Sequence, residues 1–365
     1  MKKRLIDIAR LAGVSKATAS RALADSPLVR EETKLRVQEI ARSFRYQPNA
    51  LAQAVATKRS GILGLCIYQK NRPYFAHTFF GPVLDSVLEE AGRNNYHIVL
   101  AISSSEEDTF DEHFIKDSID GAILISFAPQ HAVTEFARRG IPLVLVNALI
   151  DSPNNAFILD DNYGGARALM EHLIAERGRR RIAIITDRLS HSSYLLRYMA
   201  YMDAHREHGI PIYENPAVRA DDLWHGYAPP EAEVLALYGL KPPDMLGTPV
   251  VLRSTSPEEG RQAMRMLLGS GDAPDAVFAT TDSIAVGVLQ AIREANLRIP
   301  EDIAVAGYDD IEAAKSCVPP LTTVSVNRCE IGRLAVSELL AQIAQPSSPS
   351  RMRIVPNRLV VREST

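Results

Sequence analysis

From Ile62 onward, short apolar runs alternate with longer amphipathic segments, and this alternation limits the possible fold more than any other feature. The runs read ILGLCIY, HIVLAI, GAILIS, PLVLVN, RIAIIT, PVVL, DAVFAT and DIAVAGY. Because they are almost continuously apolar, they predict parallel strands that are buried on both faces. Roughly ten strands over about 290 residues fit two doubly wound domains better than one. Helical patterns between the runs predict helices over 79–94, 194–208, 257–268 and 283–295, and one that ends at 176.

The segment Leu5–Leu23, LIDIARLAGVSKATASRAL, predicts two short helices joined by a tight turn. Apolar residues at helical period fill one face of the first helix, Gly13 supplies a permissive backbone for the turn, and Ser15 is a good N-cap. The second helix, which extends to about Ala24, has a small and basic outer face. A third helix over Arg30–Phe44 can close a three-helix core. This pattern is typical of a helix-turn-helix DNA-binding domain, and the alternative is an αα-hairpin of an all-helical domain.

Charge is distributed unevenly along the chain. Residues 1–60 contain thirteen Lys and Arg and five Asp and Glu, a net charge of +8, and since the whole chain carries −3, the remaining 305 residues carry −11. A basic segment joined to an acidic body suits a polyanion as the partner of the basic segment.

Targeting signals and cysteine spacing bear on where the protein acts. The start MKKRLIDIAR has no apolar run of signal-peptide length, and no stretch approaches 18 apolar residues. We therefore expect a cytoplasmic protein without a membrane partner. Cys66, Cys317 and Cys329 have neither an even count nor metal-ligand spacing, so we expect buried thiols and no metal site.

A set of motifs occurs in a fixed order along nearly the whole chain. They are IDIARLAGVSKATASRAL, RYQPNALAQAVATKRSGILG, PYF, DNYGGARALMEHLIAERGRRRIAII, TTDSIAVGVLQAIREANLRIPEDIAVAGYDD and PPLTTV. Together they resemble the lac repressor–galactose repressor family of bacterial transcription regulators. The resemblance implies an N-terminal operator-binding domain, a hinge helix and a core similar to periplasmic sugar-binding proteins.

The predicted fold class is therefore an all-α helix-turn-helix domain plus an α/β core of two doubly wound parallel-sheet subdomains. We expect the DNA-binding domain at 1–46, the hinge helix and linker at 47–60, the first core subdomain at 61–162 and 291–326, and the second at 163–290 and 327–365. An insertion at about 213–248 is longer than the family needs and holds Trp224. It can be a lid, an additional dimer surface, or a long loop with neither role.

The resemblance implies DNA contacts at matching positions of the N-terminal domain. Base readers fall on Lys16, Ala17 and Arg21. An arginine can make a bidentate contact to a guanine edge, a lysine can do so or reach a phosphate, and an alanine offers methyl contact. Positions that hold phosphates in the family are Ser15, Thr18, Ser20, Thr33, Tyr46 and Asn49. For each serine and threonine among them the alternative is helix capping or plain exposure.

The hinge helix is predicted over Ala50–Ala56, where Asn49 can cap it. It has Leu51, Ala52 and Val55 but too few turns to be stable alone, so we expect it to fold against a partner. In the family such helices insert a leucine pair into the minor groove and kink the DNA. Val55 stands at the leucine position and is shorter, which leaves the depth of the wedge open; alternatively it packs against its mate in a dimer.

The effector pocket is expected beyond the carboxyl ends of the strands, where doubly wound sheets bind ligands. The resemblance places Arg197 there, whose guanidinium suits paired hydroxyls or a carboxylate, and Asp309, whose carboxylate can accept hydrogen bonds from hydroxyls. The full set of candidate effector-binding residues is Tyr74, Phe75, His191, Ser193, Arg197, Thr255, Asp282 and Asp309. Alternatives are core filling for the two aromatic residues, a surface salt bridge for Arg197, and helix N-capping for Asp282 and Asp309. Thr255 replaces an aromatic residue of the family, so one side of the pocket lacks a ring.

These expectations describe a transcription regulator, most commonly a repressor in this family. It would bind a palindromic operator as a homodimer and respond to a small-molecule effector, a sugar or sugar derivative. After Pro346 the sequence has no leucine heptads, which favours a dimer over a tetramer. A ligand-binding protein of the periplasmic sugar-receptor type is an alternative, but it would carry a signal peptide and no basic N-terminal segment.

An α/β enzyme is the second alternative. Its candidate groups are Asp309 with Asp310, His205 with His208, and the NYGGAR loop. None of these has a nucleophile, a third metal ligand, or a Walker or dinucleotide pattern beside it. We therefore expect no catalytic residue and no cofactor.

Overall fold

The computed structural model describes residues 4–23, 26–44, 46, 59–68, 79–103, 119–125, 128–148, 150, 155–187, 189, 191–213, 250–251, 254–345 and 351–365. The chain divides into two compact units, Met1–Gly61 and Ile62–Thr365, which we call the N-terminal unit and the core. In the ranges just given, no helix is both long and apolar enough to cross a membrane.

The N-terminal unit contains, in its described part, helices α1 (Leu5–Ala12), α2 (Lys16–Leu23) and α3 (Glu31–Ser43). Gly13 ends α1 with a φ of 66°, a left-handed conformation that favours glycine because it has no Cβ. Ser15 Oγ then accepts the N–H of Thr18 at 3.0 Å, which is the N-cap bond predicted for α2. The core of this unit consists mostly of alanines, together with Ile8, Val29 and Val37, so the three helices approach closely around a small core.

The larger sheet of the core contains β1 (Ile62–Tyr68), β2 (His97–Ser103), β3 (Gly121–Ile125), β4 (Leu143–Val146), β5 (Ala156–Asp160) and β11 (Met352–Val355). The strands are parallel and lie in the order β11-β5-β4-β3-β1-β2. Helices α4 (Phe80–Arg93) and α11 (Arg328–Ala344) pack on one face and α5 (Gln130–Arg138) packs on the other. Successive strand residues therefore meet opposite helical layers: Ile123 and Ile125 face the first layer and Leu124 faces the second.

The smaller sheet contains β6 (Ile182–Thr186), β7 (Val250–Val251), β8 (Ala276–Ala279) and β9 (Ala304–Ala306). These strands are also parallel, in the order β7-β6-β8-β9. Helices α6 (Asn162–Glu171) and α7 (Ser192–His208) pack on one face, while α8 (Pro257–Gly269) and α9 (Asp282–Glu294) pack on the other. A π-helical turn, His172–Glu176, continues α6. The short helix α10 (Glu312–Ser316) and an antiparallel pair, β10 (Thr323–Ser325) with β12 (Arg358–Val360), complete the described elements.

The two doubly wound sheets confirm the predicted fold class of the core. The predicted helices at 194–208, 257–268 and 283–295 are observed within two residues of their expected ends. Helices α5, α10 and α11 are present in addition to the predicted ones. The predicted hinge helix Ala50–Ala56 lies outside the described residues.

The predicted division of the core is wrong in its C-terminal part. The sequence predicts that 291–326 belong to the first subdomain, which holds the larger sheet, and 327–365 to the second. Instead β9 pairs with β8 in the smaller sheet, whereas β11 pairs with β5 in the larger sheet. The physical reason is that α11 buries its apolar face beside α4, which returns the chain to the first subdomain after β10. The insertion at 213–248 lies, apart from its first residue, outside the described residues.

The cysteines are less buried than expected. Cys66 is buried in β1, and burial raises the pKa of its thiol, but Cys317 is half-buried and Cys329 is exposed. The prediction of buried thiols is therefore correct only for Cys66, because Cys329 lies in the exposed first turn of α11. The described residues contain no group of three His, Cys, Asp or Glu side chains placed to hold a metal ion.

Helices α8 and α9 pack so closely at Gly287 that a side chain has no room there. A Cβ atom on Gly287 would lie 1.8 Å from the carbonyl oxygen of Pro257 and 2.7 Å from the amide nitrogen of Arg261. We expect Gly287→Ala to lower the free energy of unfolding by about 1–3 kcal/mol or more, because the helices must move apart. Urea unfolding followed by circular dichroism measures this loss.

Gly92 provides the matched control, since it also lies in a helix but a Cβ there would meet nothing within 4 Å. Gly92→Ala is expected to raise stability by about 0.5–1 kcal/mol through helix propensity. Equal stabilities of the two variants would contradict the close packing of α8 on α9.

Candidate functional site

The exposed face of α2 carries the three predicted base readers. Lys16, Ala17 and Arg21 are exposed, while Ala19 and Ala22 on the opposite face are buried in the N-terminal unit. Within the described part of the chain, no ion pair engages the guanidinium of Arg21. A short helix with a small, basic outer face of this kind can enter a DNA major groove.

The predicted phosphate-contacting positions differ in what they do. Ser15 and Thr18 bond to each other through their hydroxyls at 2.8 Å, and Ser15 caps α2, which was the alternative interpretation of this serine. Ser20 and Thr33 are half-buried at the surface of the unit. Tyr46 packs against the core of the unit, and this burial raises the pKa of its hydroxyl. The remaining DNA-binding predictions, Asn49, Leu51, Ala52 and Val55, lie outside the described residues.

In the core, Arg197 on α7 lies at the carboxyl ends of the smaller sheet. Its side chain is 4 % exposed, which is inconsistent with a surface salt bridge. Its guanidinium donates from Nη1 to the carbonyl of Thr280 at 2.5 Å and from Nη2 to Asp309 Oδ1 at 3.3 Å. The guanidinium carbon also lies 3.7 Å from the centre of the Tyr308 ring, a cation–π contact. Arg197 and Asp309, which the sequence names separately, thus form a buried ion pair that is held on several sides.

Asp309 follows β9 in a backbone conformation that is unusual for its residue type. Its φ is 108°, and Asp310 follows with a φ of 52°. Removal from water raises the pKa of the Asp309 carboxyl to about 6, although the positive charges of Arg197 and Arg328 act to lower it. Strained backbone and a shifted pKa are typical of functional sites.

Asp282 is the first residue of α9 but does not cap it, because Thr281 Oγ1 accepts the N–H of Ile284 instead. The Asp282 carboxylate is fully buried and accepts the N–H of Ile311 at 2.8 Å and the hydroxyl of Thr323 at 2.6 Å. Burial, together with the nearby charge of Asp309, raises its pKa to about 8. The N-cap alternative for Asp282 is therefore wrong, and its bonds join α9 to the loop after β9.

The raised pKa of Asp282 gives a stability prediction. In the folded state the Asp282 carboxyl keeps its proton up to about pH 8, whereas in the unfolded chain it loses the proton near pH 4. Its contribution to the free energy of unfolding is therefore complete below pH 4 and is lost as the pH rises through about 8. Asp282→Asn keeps a neutral side chain that can bond both partners. We expect the variant to have a higher Tm than the wild type at pH 8 and an equal or lower Tm at pH 4, by differential scanning calorimetry.

Asp302→Asn is the comparison for this prediction, since Arg298 holds the pKa of that exposed carboxyl at about 2. That variant should lose stability slightly at pH 8. A Tm difference for Asp282→Asn that does not depend on pH would contradict a protonated Asp282.

His191 and Ser193 lie at the start of α7, and Thr255 lies two residues before the start of α8. His191 precedes α7 and its Nδ1 accepts the N–H of Ser193 at 3.3 Å, so this histidine caps the helix. Ser193 is buried, and Thr255 is half-buried beside Ser256, which caps α8. The predicted aromatic pair, Tyr74 and Phe75, lies outside the described residues.

The structure adds residues that were not predicted as site residues. Asn162 Oδ1 accepts the Nε–H of Arg197 at 2.8 Å, and Asn162 Nδ2 donates to Asp160 at 2.9 Å. Across the crevice between the subdomains, Ser192 donates to the carbonyl of Asn147 at 3.5 Å. Asn147 directly follows the apolar strand β4, a strand-end position at which the sequence alone predicts ligand-binding residues in a doubly wound sheet, and its φ is 51°. The crevice thus presents a guanidinium, a carboxylate, amides and hydroxyls, which together can bind a polyhydroxyl ligand.

Comparison with known families agrees with this architecture. A family model described as bacterial regulatory proteins, lacI family, matches residues 4–49. A model described as periplasmic binding proteins and sugar binding domain of LacI family matches 60–223, and a periplasmic binding protein-like domain matches 170–365.

Similar proteins are found along the whole length of the chain. The ribose operon repressor of Haemophilus influenzae is 29% identical over 361 residues, 98% of this chain and 97% of that protein. The HTH-type transcriptional repressor PurR of Pasteurella multocida is 28% identical, with 98% and 97% covered. Among solved structures, a complex of the transcriptional regulator CelR with cellobiose has 25% identity and a TM-score of 0.66, with both chains fully covered. A lac repressor dimer bound to operator and the anti-inducer ONPF has 24% identity and a TM-score of 0.75, covering 100% of this chain and 99% of that one.

A helix-turn-helix unit in one chain with a periplasmic-binding-protein-like core defines a DNA-binding transcription regulator. The chain belongs to the LacI family of bacterial regulatory proteins.

Proposed function

We propose that this regulator represses transcription by binding a palindromic operator as a homodimer, and that a sugar or sugar derivative in the core crevice controls its affinity for the operator. The observation that carries the proposal is the exposed face of α2, with Lys16, Ala17 and Arg21, in the same chain as the buried pair of Arg197 and Asp309.

The DNA part of the proposal is supported by charge and geometry. The net charge of +8 over residues 1–60 supplies attraction to phosphates, which makes binding dependent on salt. Arg21 supplies base recognition, since a guanidinium can bond both acceptors of a guanine edge. Hydroxyl and phenol groups at Ser20, Thr33 and Tyr46 serve to position the unit on the backbone.

The effector part is supported by the chemistry of the crevice. Arg197 donates in a planar fork and Asp309 accepts, a combination that pairs with neighbouring hydroxyls of one sugar ring. His191 and Ser193 stand at the edge of the crevice and can add contacts. Among the relatives, the ribose operon repressor is named for a sugar and CelR forms a complex with cellobiose, which favours the same ligand class here.

A dimer is supported by an exposed apolar surface on the first subdomain. Leu88 on α4 and Ile102 on the edge strand β2 lie on the α4 side of the larger sheet and are 51% and 38% exposed. A second copy would cover these side chains and would place two DNA-binding units on the half-sites of a palindrome. We place the protein in the cytoplasm, where its operator would be, and assign it no catalytic role and no cofactor.

The mechanism follows from the two subdomains. A ligand that binds one degree of crevice closure more tightly than another shifts that equilibrium, and the shift changes how the two first subdomains present their DNA-binding units. A tenfold change in operator affinity needs a difference in ligand binding of only about 1.4 kcal/mol.

Two assays test the proposal. Selection of double-stranded fragments from a random library should yield a palindromic site, and a thermal-shift screen that includes D-ribose and cellobiose should yield a sugar that raises Tm and changes affinity for that site. A protein that enriches no double-stranded site in the presence or absence of sugars would overturn it.

A further inference from the structure

Three chain segments pass between the two subdomains of the core, and each brings a polar side chain either to the Arg197–Asp309 pair or to Tyr308 beside it. We call them the first crossover (160–162), the second crossover (325–328) and the third crossover (355–358). They connect β5 to α6, β10 to α11, and β11 to β12.

The first crossover contacts the pair through Asn162. Its side-chain oxygen accepts the Nε–H of Arg197 at 2.8 Å. Its side-chain nitrogen donates to Asp160 Oδ1 at 2.9 Å, and Asp160 is fully buried at the end of β5. The guanidinium is therefore connected to the last residue of a strand in the larger sheet.

The second crossover contacts the pair through Arg328, the first residue of α11. Its guanidinium donates to the carbonyl oxygen of Asp309 and, at 3.2 Å, to that of Asp310. These are the two aspartates with positive φ, and Arg362 holds the carboxylate of Asp310 at 2.6 Å. Since α11 packs in the first subdomain and Asp309 follows a strand of the second, Arg328 joins the two subdomains directly.

The third crossover reaches the pair indirectly, through Asn357 and Tyr308. Its side-chain nitrogen donates to Asp160 Oδ2 at 3.0 Å and to the hydroxyl of Tyr308 at 2.8 Å. The Tyr308 ring lies under the guanidinium of Arg197. Asp160 thus accepts from both the first and the third crossover, and Tyr308 joins the third crossover to the effector pair.

We propose that Arg328 and Asn357 are positioning residues that couple the Arg197–Asp309 pair to the second and third crossovers, so that a change at the pair alters the angle between the subdomains. Arg328 bonds to the backbone of Asp309, and Asn357 bonds to the hydroxyl of Tyr308, on which Arg197 stacks. A ligand that moves Arg197 or Asp309 must therefore also move or break these bonds. The inference rests on the proposed function in that the pair is taken as the effector site.

The first test measures the subdomain angle without ligand or DNA. Spin labels at His131→Cys on α5 and Met266→Cys on α8, in a Cys329→Ser background and diluted with unlabelled protein, report the distance between the subdomains. Both sites are exposed. Arg328→Met and Asn357→Ala should each shift or widen the distance distribution by more than about 2 Å, the scale of a domain rearrangement. Arg333→Met, which removes an exposed arginine that pairs with Glu330 on the same helix, should not. Unchanged distributions in both variants would overturn the proposal.

The second test separates positioning from folding. The probe is a sugar that raises the Tm of the wild type, with D-ribose tested first. Arg328→Met should bind this sugar with an affinity within about threefold of wild type. In allosteric proteins a ligand commonly changes the affinity of the second site by about 5–150-fold, and in Arg328→Met the sugar-induced change in operator affinity should fall below about twofold. Arg328→Lys, which can still donate to a carbonyl, should restore part of the change. Full retention of the change in Arg328→Met would overturn the proposal. A wild type that binds neither operator nor sugar would instead contradict the proposed function, and the distance measurement would still decide the coupling.

Discussion

Arg21→Ala is expected to abolish recognition of the selected operator while the core stays folded and binds its effector. Arg21 is exposed on the outer face of α2 and makes no ion pair within the described part of the chain, so its removal leaves no buried charge behind. A bidentate contact to guanine is worth about 1–3 kcal/mol of discrimination, and a dimer makes it twice, which gives about 2–6 kcal/mol, or roughly 30-fold to more than 10,000-fold in affinity. Gel-shift titration on the operator and on a scrambled duplex measures both the affinity and its specificity.

The matched control removes the same charge from the core. Arg333→Ala deletes an exposed arginine on α11 and should bind the operator like the wild type. Lys16→Ala should weaken binding with a smaller loss of specificity if the lysine contacts phosphate, and it should also lower the salt dependence of binding. A footprint of Arg21→Ala that equals the wild-type footprint would remove α2 as the recognition helix.

The parts of the fold that could be predicted from the sequence are those with strong local periodicity. Strands such as that in GAILIS are covered by helices on both faces, so nearly every residue in them is apolar. This pattern can be recognised from the local sequence, without knowledge of which segments pack against the strand. The positions of Gly13 and Ser15 likewise determine the turn and the start of α2, because a left-handed residue and a capping hydroxyl act within a few residues.

The return of the chain to the first subdomain depends on contacts between distant residues. Met352 pairs with Phe157, nearly 200 residues earlier, and no local pattern in MRIV specifies that partner. The short strand β10 and helix α11 were missed for the same reason, because β10 depends on pairing with β12 and α11 depends on packing against α4. Tertiary contacts therefore correct the domain boundaries while leaving the fold class unchanged.

The candidate effector site also combines residues that the sequence could name with residues that only contacts between distant segments bring together. Arg197 and Asp309 could be named from the resemblance, and the structure brings them together. Their supporting residues, Asn162, Arg328 and Asn357, come from three separate crossovers, and the sequence alone gives no sign that these segments converge. Asp282 was predicted to face the ligand or to cap α9, but it bonds Ile311 and Thr323, which only the packing of α9 beside the loop after β9 determines.

Asp309→Asn should remove the effector response and keep operator binding. The asparagine amide is neutral, so it cannot form an ion pair with Arg197. It also accepts hydrogen bonds from ligand hydroxyls more weakly than a carboxylate does. We expect at least a tenfold loss of sugar affinity by calorimetric titration at pH 7, about the 1.4 kcal/mol that one charge-assisted bond supplies. Asp302→Asn, which removes an exposed carboxylate from a surface pair, should bind the sugar normally.

The pH dependence of sugar binding gives an independent test of the same carboxylate. Asp309 faces Arg197 and Arg328 as well as the acids Asp160 and Asp282, and burial raises its pKa to about 6. If the ionised form binds the sugar, affinity in the wild type should fall about tenfold between pH 7 and pH 5, because protonation then competes with the ligand. In Asp309→Asn this dependence should disappear, since the amide does not titrate. A wild-type affinity that stays constant over this range, or a variant that keeps the slope, would show that Asp309 does not bind the ligand and that another group in the crevice titrates.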